Sequence, residues 1–101
     1  MSQTEQKSIV VLISGQGSNM QAIVRAARER QWDKRWGARV VGVVSNRPES
    51  AGLLWAREQG LATAAVDHKA YDGREAFDAA LMQAVDGLAT NGRPDLVVLA
   101  G

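Results

Sequence analysis

Four short apolar runs alternate along this chain with stretches whose apolar residues recur at helical spacing. No other feature restricts the fold as strongly. Ile9-Val10-Val11-Leu12-Ile13 is wholly apolar and β-branched, the composition of a strand covered on both faces. From Asn19 onward, Met20, Ile23, Val24 and Ala27 fall on one helical stripe, with Arg25, Arg28 and Glu29 opposite it. Val40 to Val44 reads as a second buried strand, ended by Ser45-Asn46-Arg47-Pro48. Ser50 opens a short helix through Leu53, Leu54, Trp55 and Ala56 that stops at Gly60. A weaker strand follows at Thr63 to Val66. Asp72 and Glu75 have the spacing of a capping box. Ala76, Phe77, Ala80, Leu81, Ala84, Val85 and Leu88 then form the clearest helical stripe, running to about Ala89. The turn Asn91-Gly92-Arg93-Pro94 leads into a final apolar strand, Asp95 to Gly101.

Strands that alternate with helices in this way imply an α/β, Rossmann-like parallel sheet with right-handed crossovers and helices on both faces. With four strands the sheet is half of a doubly wound one, and its expected order is 3-2-1-4. Residues 1–8 read as a polar tail and 9–101 as one unit, with no repeat or linker to divide them. In the expected order the last strand, residues 96–100, is an apolar edge, and self-association through it is expected.

Composition removes several chemistries. There are no cysteines, which excludes disulfides, thiolate metal sites and cysteine nucleophiles, and His68 is the single histidine. The apolar runs are far shorter than the roughly 20 residues of a membrane helix, and Met1 to Ser8 is polar, unlike a signal peptide. A cytoplasmic protein with no membrane partner and no metal is expected. The net charge of +1 points to no polyanionic partner.

In a doubly wound sheet, ligands bind beyond the carboxyl ends of the strands where the strand order reverses. The loop there is Gly15-Gln16-Gly17-Ser18-Asn19. Its glycines allow a tight turn, Ser18 or Asn19 is placed to cap the helix that follows, and the free amides of that helix attract an anion. A phosphate or carboxylate is the expected ligand. Ordinary NAD binding does not fit, because Met20 stands where the dinucleotide fingerprint needs glycine and Ser45-Asn46 stands where it needs an acid. Only Arg47, as a partner for a 2′-phosphate, leaves an NADP reading open. No Gly-Lys-Ser/Thr follows the glycines, which excludes a P-loop.

The run Ile9 to Gln21, Ile-Val-Val-Leu-Ile-Ser-Gly-Gln-Gly-Ser-Asn-Met-Gln, resembles the opening strand and phosphate loop of the phosphoribosylglycinamide formyltransferase family. Three further stretches are similar in order and spacing. They are Val44-Ser45-Asn46 with Ala51-Gly52-Leu53 and Ala56-Arg57, then Tyr71 to Asp78, then Pro94 to Gly101. The resemblance implies transfer of a formyl group from 10-formyltetrahydrofolate to the amine of glycinamide ribonucleotide, in purine biosynthesis. By the same resemblance, Gly17, Ser18 and Asn19 match the loop that holds the substrate phosphate, largely through backbone amides. Arg74 matches an arginine used at the folate site; read without the resemblance, it is a solvated first-turn residue.

The family continues past the position of Gly101 with a folate-binding segment, an asparagine and a histidine that act at the formyl carbon, and an aspartate that tunes the histidine. No residue here matches them, so no catalytic residue is assigned, and a chain of these 101 residues is expected to be inactive alone. His68 lies in a loop matching no catalytic part and reads as an exposed loop residue. The alternative reading is a non-catalytic module that binds a phosphorylated metabolite. The basic residues Arg25, Arg28, Arg30, Lys34, Arg35 and Arg39 read as a solvated face rather than a nucleic-acid surface. Trp32, Trp36 and Trp55, near helix ends, are expected to pack locally.

Overall fold

The computed structural model describes residues 7–14, 17–48, 50–88 and 94–100. Its elements follow the expected alternation. They are β1 (Lys7–Ile13), α1 (Ser18–Glu29), α2 (Trp32–Arg35), β2 (Ala38–Ser45), α3 (Ala51–Glu58), β3 (Ala62–Ala65), a 3₁₀ turn (His68–Ala70), α4 (Arg74–Leu88) and β4 (Leu96–Leu99). The strands form one parallel sheet in the order β3-β2-β1-β4. That is the order expected, with β1 and β2 in the middle and buried along most of their length and β3 and β4 at the edges.

Each face of the sheet has its own core. Ile9, Val11 and Ile13 of β1, with Val40 and Val43 of β2, pack against Met20 and Val24 of α1 and Leu53 and Ala56 of α3. On the opposite face Val10 and Val44 pack against Val66 and against Val85 of α4, with Phe77, Ala80, Leu81, Ala84 and Leu88 around them. The α4 stripe is thus the one in the sequence, except that Ala76 is exposed.

The two inner positions of β2 on the first face, Val40 and Val43, are three residues apart, which strict strand alternation forbids. A bulge resolves this. Ile9 pairs with Val40 but Val10 pairs with Gly42, leaving Val41 as the extra residue. Gly42 then faces α4. A Cβ there would lie 2.7 Å from Leu88 Cδ1 and 3.1 Å from the Ala62 carbonyl oxygen, so only glycine lets the last turn of α4 settle on the sheet.

Several boundaries differ from the sequence reading. β1 begins at Lys7, two residues inside the segment read as a tail, because the Lys7 N–H donates to the Gly37 carbonyl (2.6 Å) and Ser8 is buried. Between α1 and β2 the chain makes a further helical turn, α2, entered through Gln31 in the left-handed region (φ 53°). The capping box at Asp72 does not form. α4 starts one residue too late for it, with the Gly73 carbonyl accepting the first helical bond, from Phe77 (3.4 Å). Ser50 does cap α3, its hydroxyl accepting from Leu53 N (3.3 Å). Trp32 and Trp55 pack against the first core, and Arg25 lies 5.8 Å from the centroid of Trp55. Trp36 does not pack: it is 69% exposed. The turn at residues 91–93, the end of the last run at Gly101, and Gly15 and Gln16 of the glycine loop lie outside the described residues.

Candidate functional site

The carboxyl edge of the sheet is where β1 turns into α1. Gly17 is the last residue before the helix and is held in the left-handed region at φ 73° and ψ 33°. It is also buried. A Cβ at this position would sit 3.0 Å from Met20 Cε, 3.2 Å from Ile13 Cδ1 and 3.4 Å from the Cα of Gly52. Both the conformation and the space therefore require glycine. The tight fit brings the start of α1 beside the start of α3.

Ser18 and Asn19 do not cap the helix, as the sequence reading had it. The cap position is one residue earlier, at Gly17, which has no side chain to offer, and no side-chain cap bond is made. The first helical bond runs from Gln21 N to the Gly17 carbonyl (2.9 Å). The N–H groups of Ser18, Asn19 and Met20 therefore have no partner within the helix, and both Ser18 and Asn19 are exposed. No acidic side chain occupies the first turn. An uncapped N-terminus of this kind carries a partial positive charge and free donors, which suits an anion.

Across the edge of β1, on the α4 side, a cavity of about 220 Å³ is lined by Leu12, Ile13, Ser14, Val44, Asn46, Phe77, Leu81 and Leu99. Its wall is almost wholly apolar. Ser14 and Asn46 are the exceptions. Asn46 follows the end of β2, is pinned by its N–H donating to the Ile13 carbonyl (3.3 Å), and its Oδ1 is buried with no hydrogen-bond partner. Ser45 holds the turn behind it, its hydroxyl accepting from Arg47 N (3.0 Å). Arg47 is exposed.

Arg74 is exposed and opens α4, one turn before Phe77. The structure places it at the same end of the sheet as Gly17, Ser18 and Asn19. His68 is also at this end, exposed in the 3₁₀ turn. Its Nδ1 is 3.4 Å from the Asn46 carbonyl, and its ring meets Phe77 edge to face, with centroids 6.5 Å apart. Tyr71 meets Phe77 similarly, at 6.3 Å. Sequence reasoning overlooked Asn46 and this aromatic trio as parts of a site. The available signal was the polar Ser45-Asn46 pair ending an otherwise apolar strand at the ligand-binding edge.

A roomier cleft of about 530 Å³ lies at the opposite, amino edge, lined by residues that include Arg28, Lys34, Arg39, Gln59 and Leu61. Its cations do not make it an anion site. Arg28 is spent on the end of α3, donating to Gln59 Oε1 and to the Gln59 carbonyl (both 2.7 Å). The helix ends that face it, those of α1 and α3, carry partial negative charge.

Known proteins are similar to this chain in sequence and in fold. A model of the formyl transferase family, described as "Formyl transferase", matches residues 7–101. The chain is 46% identical over 94 residues to phosphoribosylglycinamide formyltransferase of Escherichia coli K12, covering 93% of this chain and 41% of that protein. It is 38% identical to a segment of the trifunctional purine biosynthetic protein adenosine-3 of Bos taurus, covering 98% of this chain and 9% of that one. The crystal structure of glycinamide ribonucleotide transformylase 1 from Symbiobacterium toebii superposes with a TM-score of 0.79 at 41% identity, over 98% of this chain and 43% of that chain. The present chain thus spans about two-fifths of the length of the single-function relatives it matches. On the extent of the family match and the shared four-stranded sheet, the chain belongs to the formyl transferase family.

Proposed function

We propose that this chain carries the substrate-phosphate-holding part of a phosphoribosylglycinamide formyltransferase of cytoplasmic purine biosynthesis. The observation that carries the reading is the uncapped start of α1 behind left-handed Gly17, at the sheet edge where such ligands bind. Gly17, Ser18 and Asn19 hold the phosphate of glycinamide ribonucleotide, chiefly through main-chain N–H groups. Arg74 meets the formyl donor, 10-formyltetrahydrofolate. Arg74 is an exposed cation at the same end of the sheet, which suits the anionic part of that donor.

In the reaction the substrate amine attacks the formyl carbon, the bond from that carbon to the folate nitrogen breaks, the amine loses a proton and the folate nitrogen gains one. This transfer needs a stabiliser for the tetrahedral oxyanion and a group that moves the proton. We assign neither role to a residue of this chain. The residues here bind and orient, and the 101-residue polypeptide holds the ribonucleotide without turning it over.

Calorimetric titration with glycinamide ribonucleotide and with ribose 5-phosphate, beside a formyl-transfer assay with the folate donor, tests the reading. Binding of both phosphates without turnover is expected. Failure to bind either phosphate overturns the site, and turnover overturns the division of roles.

A further inference from the structure

We infer that Asn46 is a specificity-determining residue, its Oδ1 accepting a hydrogen bond from an N–H donor of the molecule whose phosphate sits on α1. The inference rests on the function proposed above. Its starting point is a polar atom that the fold leaves unmet: Asn46 Oδ1 is buried and has no partner, while its own main chain is fixed to β1 through Ile13. Leaving an acceptor unpaired away from water is unfavourable, so such a group in a native site calls for a ligand or another function.

Position supplies the ligand. Ile13 and Ser14, which line the same cavity as Asn46, lead directly into the loop before α1, and Ile13 Cδ1 also bounds Gly17. A ligand anchored by phosphate at α1 on one face reaches the Asn46 cavity by crossing the carboxyl end of β1. The cavity wall is apolar apart from Ser14 and Asn46, so it selects a small group that brings a donor of its own. The glycinamide portion of the proposed substrate has amide and amine N–H groups. Ribose 5-phosphate has the same anchor and no nitrogen.

The two ligands therefore separate the two claims. In calorimetric titrations of the 101-residue chain, Asn46→Ala is expected to weaken glycinamide ribonucleotide by about five- to ten-fold, the worth of one hydrogen bond, and to leave ribose 5-phosphate unchanged. Asn46→Asp retains an acceptor and is expected to bind the ribonucleotide at least as well as the parent chain. Without ligand, the melting temperature of Asn46→Ala is expected not to fall, because the substitution removes an unmet buried group. Equal changes for both ligands, or none for either, overturn the inference while leaving the phosphate site standing. A lower melting temperature or a failure to fold makes Asn46 structural and also overturns it. If the parent chain binds neither phosphate, the proposed function fails first and takes this inference with it.

Discussion

Ser8 and Asp95 bind each other twice: the Ser8 N–H donates to the Asp95 carboxylate (2.9 Å), and the Asp95 N–H donates to the Ser8 carbonyl (2.9 Å). One residue further along, Ile9 and Leu96 begin the β1–β4 ladder. The pair is thus a latch at the amino end of the junction between the first and last strands.

Removing its side chain has a defined cost. Asp95→Ala leaves the buried Ser8 N–H without its acceptor and is expected to lower stability by about 1–2 kcal/mol, whereas Asp95→Asn keeps an acceptor and loses less. Urea unfolding with an unchanged m-value checks this. An effect of Asp95→Ala within experimental error would show that water replaces the carboxylate.

The latch also shows what the sequence leaves illegible. The apolar run announces β1 from Ile9, but Lys7 and Ser8 are ordinary polar residues whose strand conformation depends on partners far along the chain, Gly37 and Asp95. Strand order and both helix faces are legible because burial periodicity is a local property. The cap of α1 is not. Ser18 and Asn19 have suitable side chains, yet Gly17 takes the cap position because the close fit against Ile13, Met20 and Gly52 requires a residue without a Cβ. Asn46 escapes notice for a similar reason, since an unmet acceptor is visible only once its surroundings are folded.

Stability and affinity are expected to move in opposite directions at Ser18. A carboxylate at the first position of α1 interacts favourably with the helix dipole, so Ser18→Asp should stabilise the chain by about 0.3–1 kcal/mol at low salt. The same charge repels a phosphate at the same amides. A rise in melting temperature together with at least a ten-fold loss of ribose 5-phosphate binding is the expected pair of results. Unchanged phosphate affinity would move the anion site elsewhere.

At the far end of the sheet, Gly42→Ala drives a Cβ into Leu88 and against the Ala62 carbonyl, and a loss of about 1–3 kcal/mol is expected. Leu88→Ala removes the nearest clashing atom, Cδ1. The double variant should therefore lose less than the sum of the two single losses, by at least about 0.5 kcal/mol. Strict additivity in denaturant titrations would mean that the Leu88 Cβ and the Ala62 carbonyl, not Leu88 Cδ1, set the limit.

We further propose that the edge of β4 pairs two copies of this chain. Leu96 and Leu99 are 52% and 78% exposed, and among the described residues β4 has a sheet neighbour on one side, β1. A short apolar edge with free main-chain groups is a template for another strand. Static light scattering should show mass rising with concentration, and Leu99→Lys should suppress the rise by placing a charge on the edge. A parent chain that stays monomeric at high concentration refutes the pairing.

The bulge at Val41 has a consequence for how this strand can change. It divides β2 into two segments with opposite inside–outside phase, joined at a single residue. Deleting Val41 would leave a regular strand: Val40 stays opposite Ile9, Gly42 stays opposite Val10, and each remaining side chain keeps its face. Losing a residue beyond the bulge, at Val43, would instead turn the residues after it to the other face. The bulge is thus a point at which β2 can change length by one residue without disturbing the helical layer on either side.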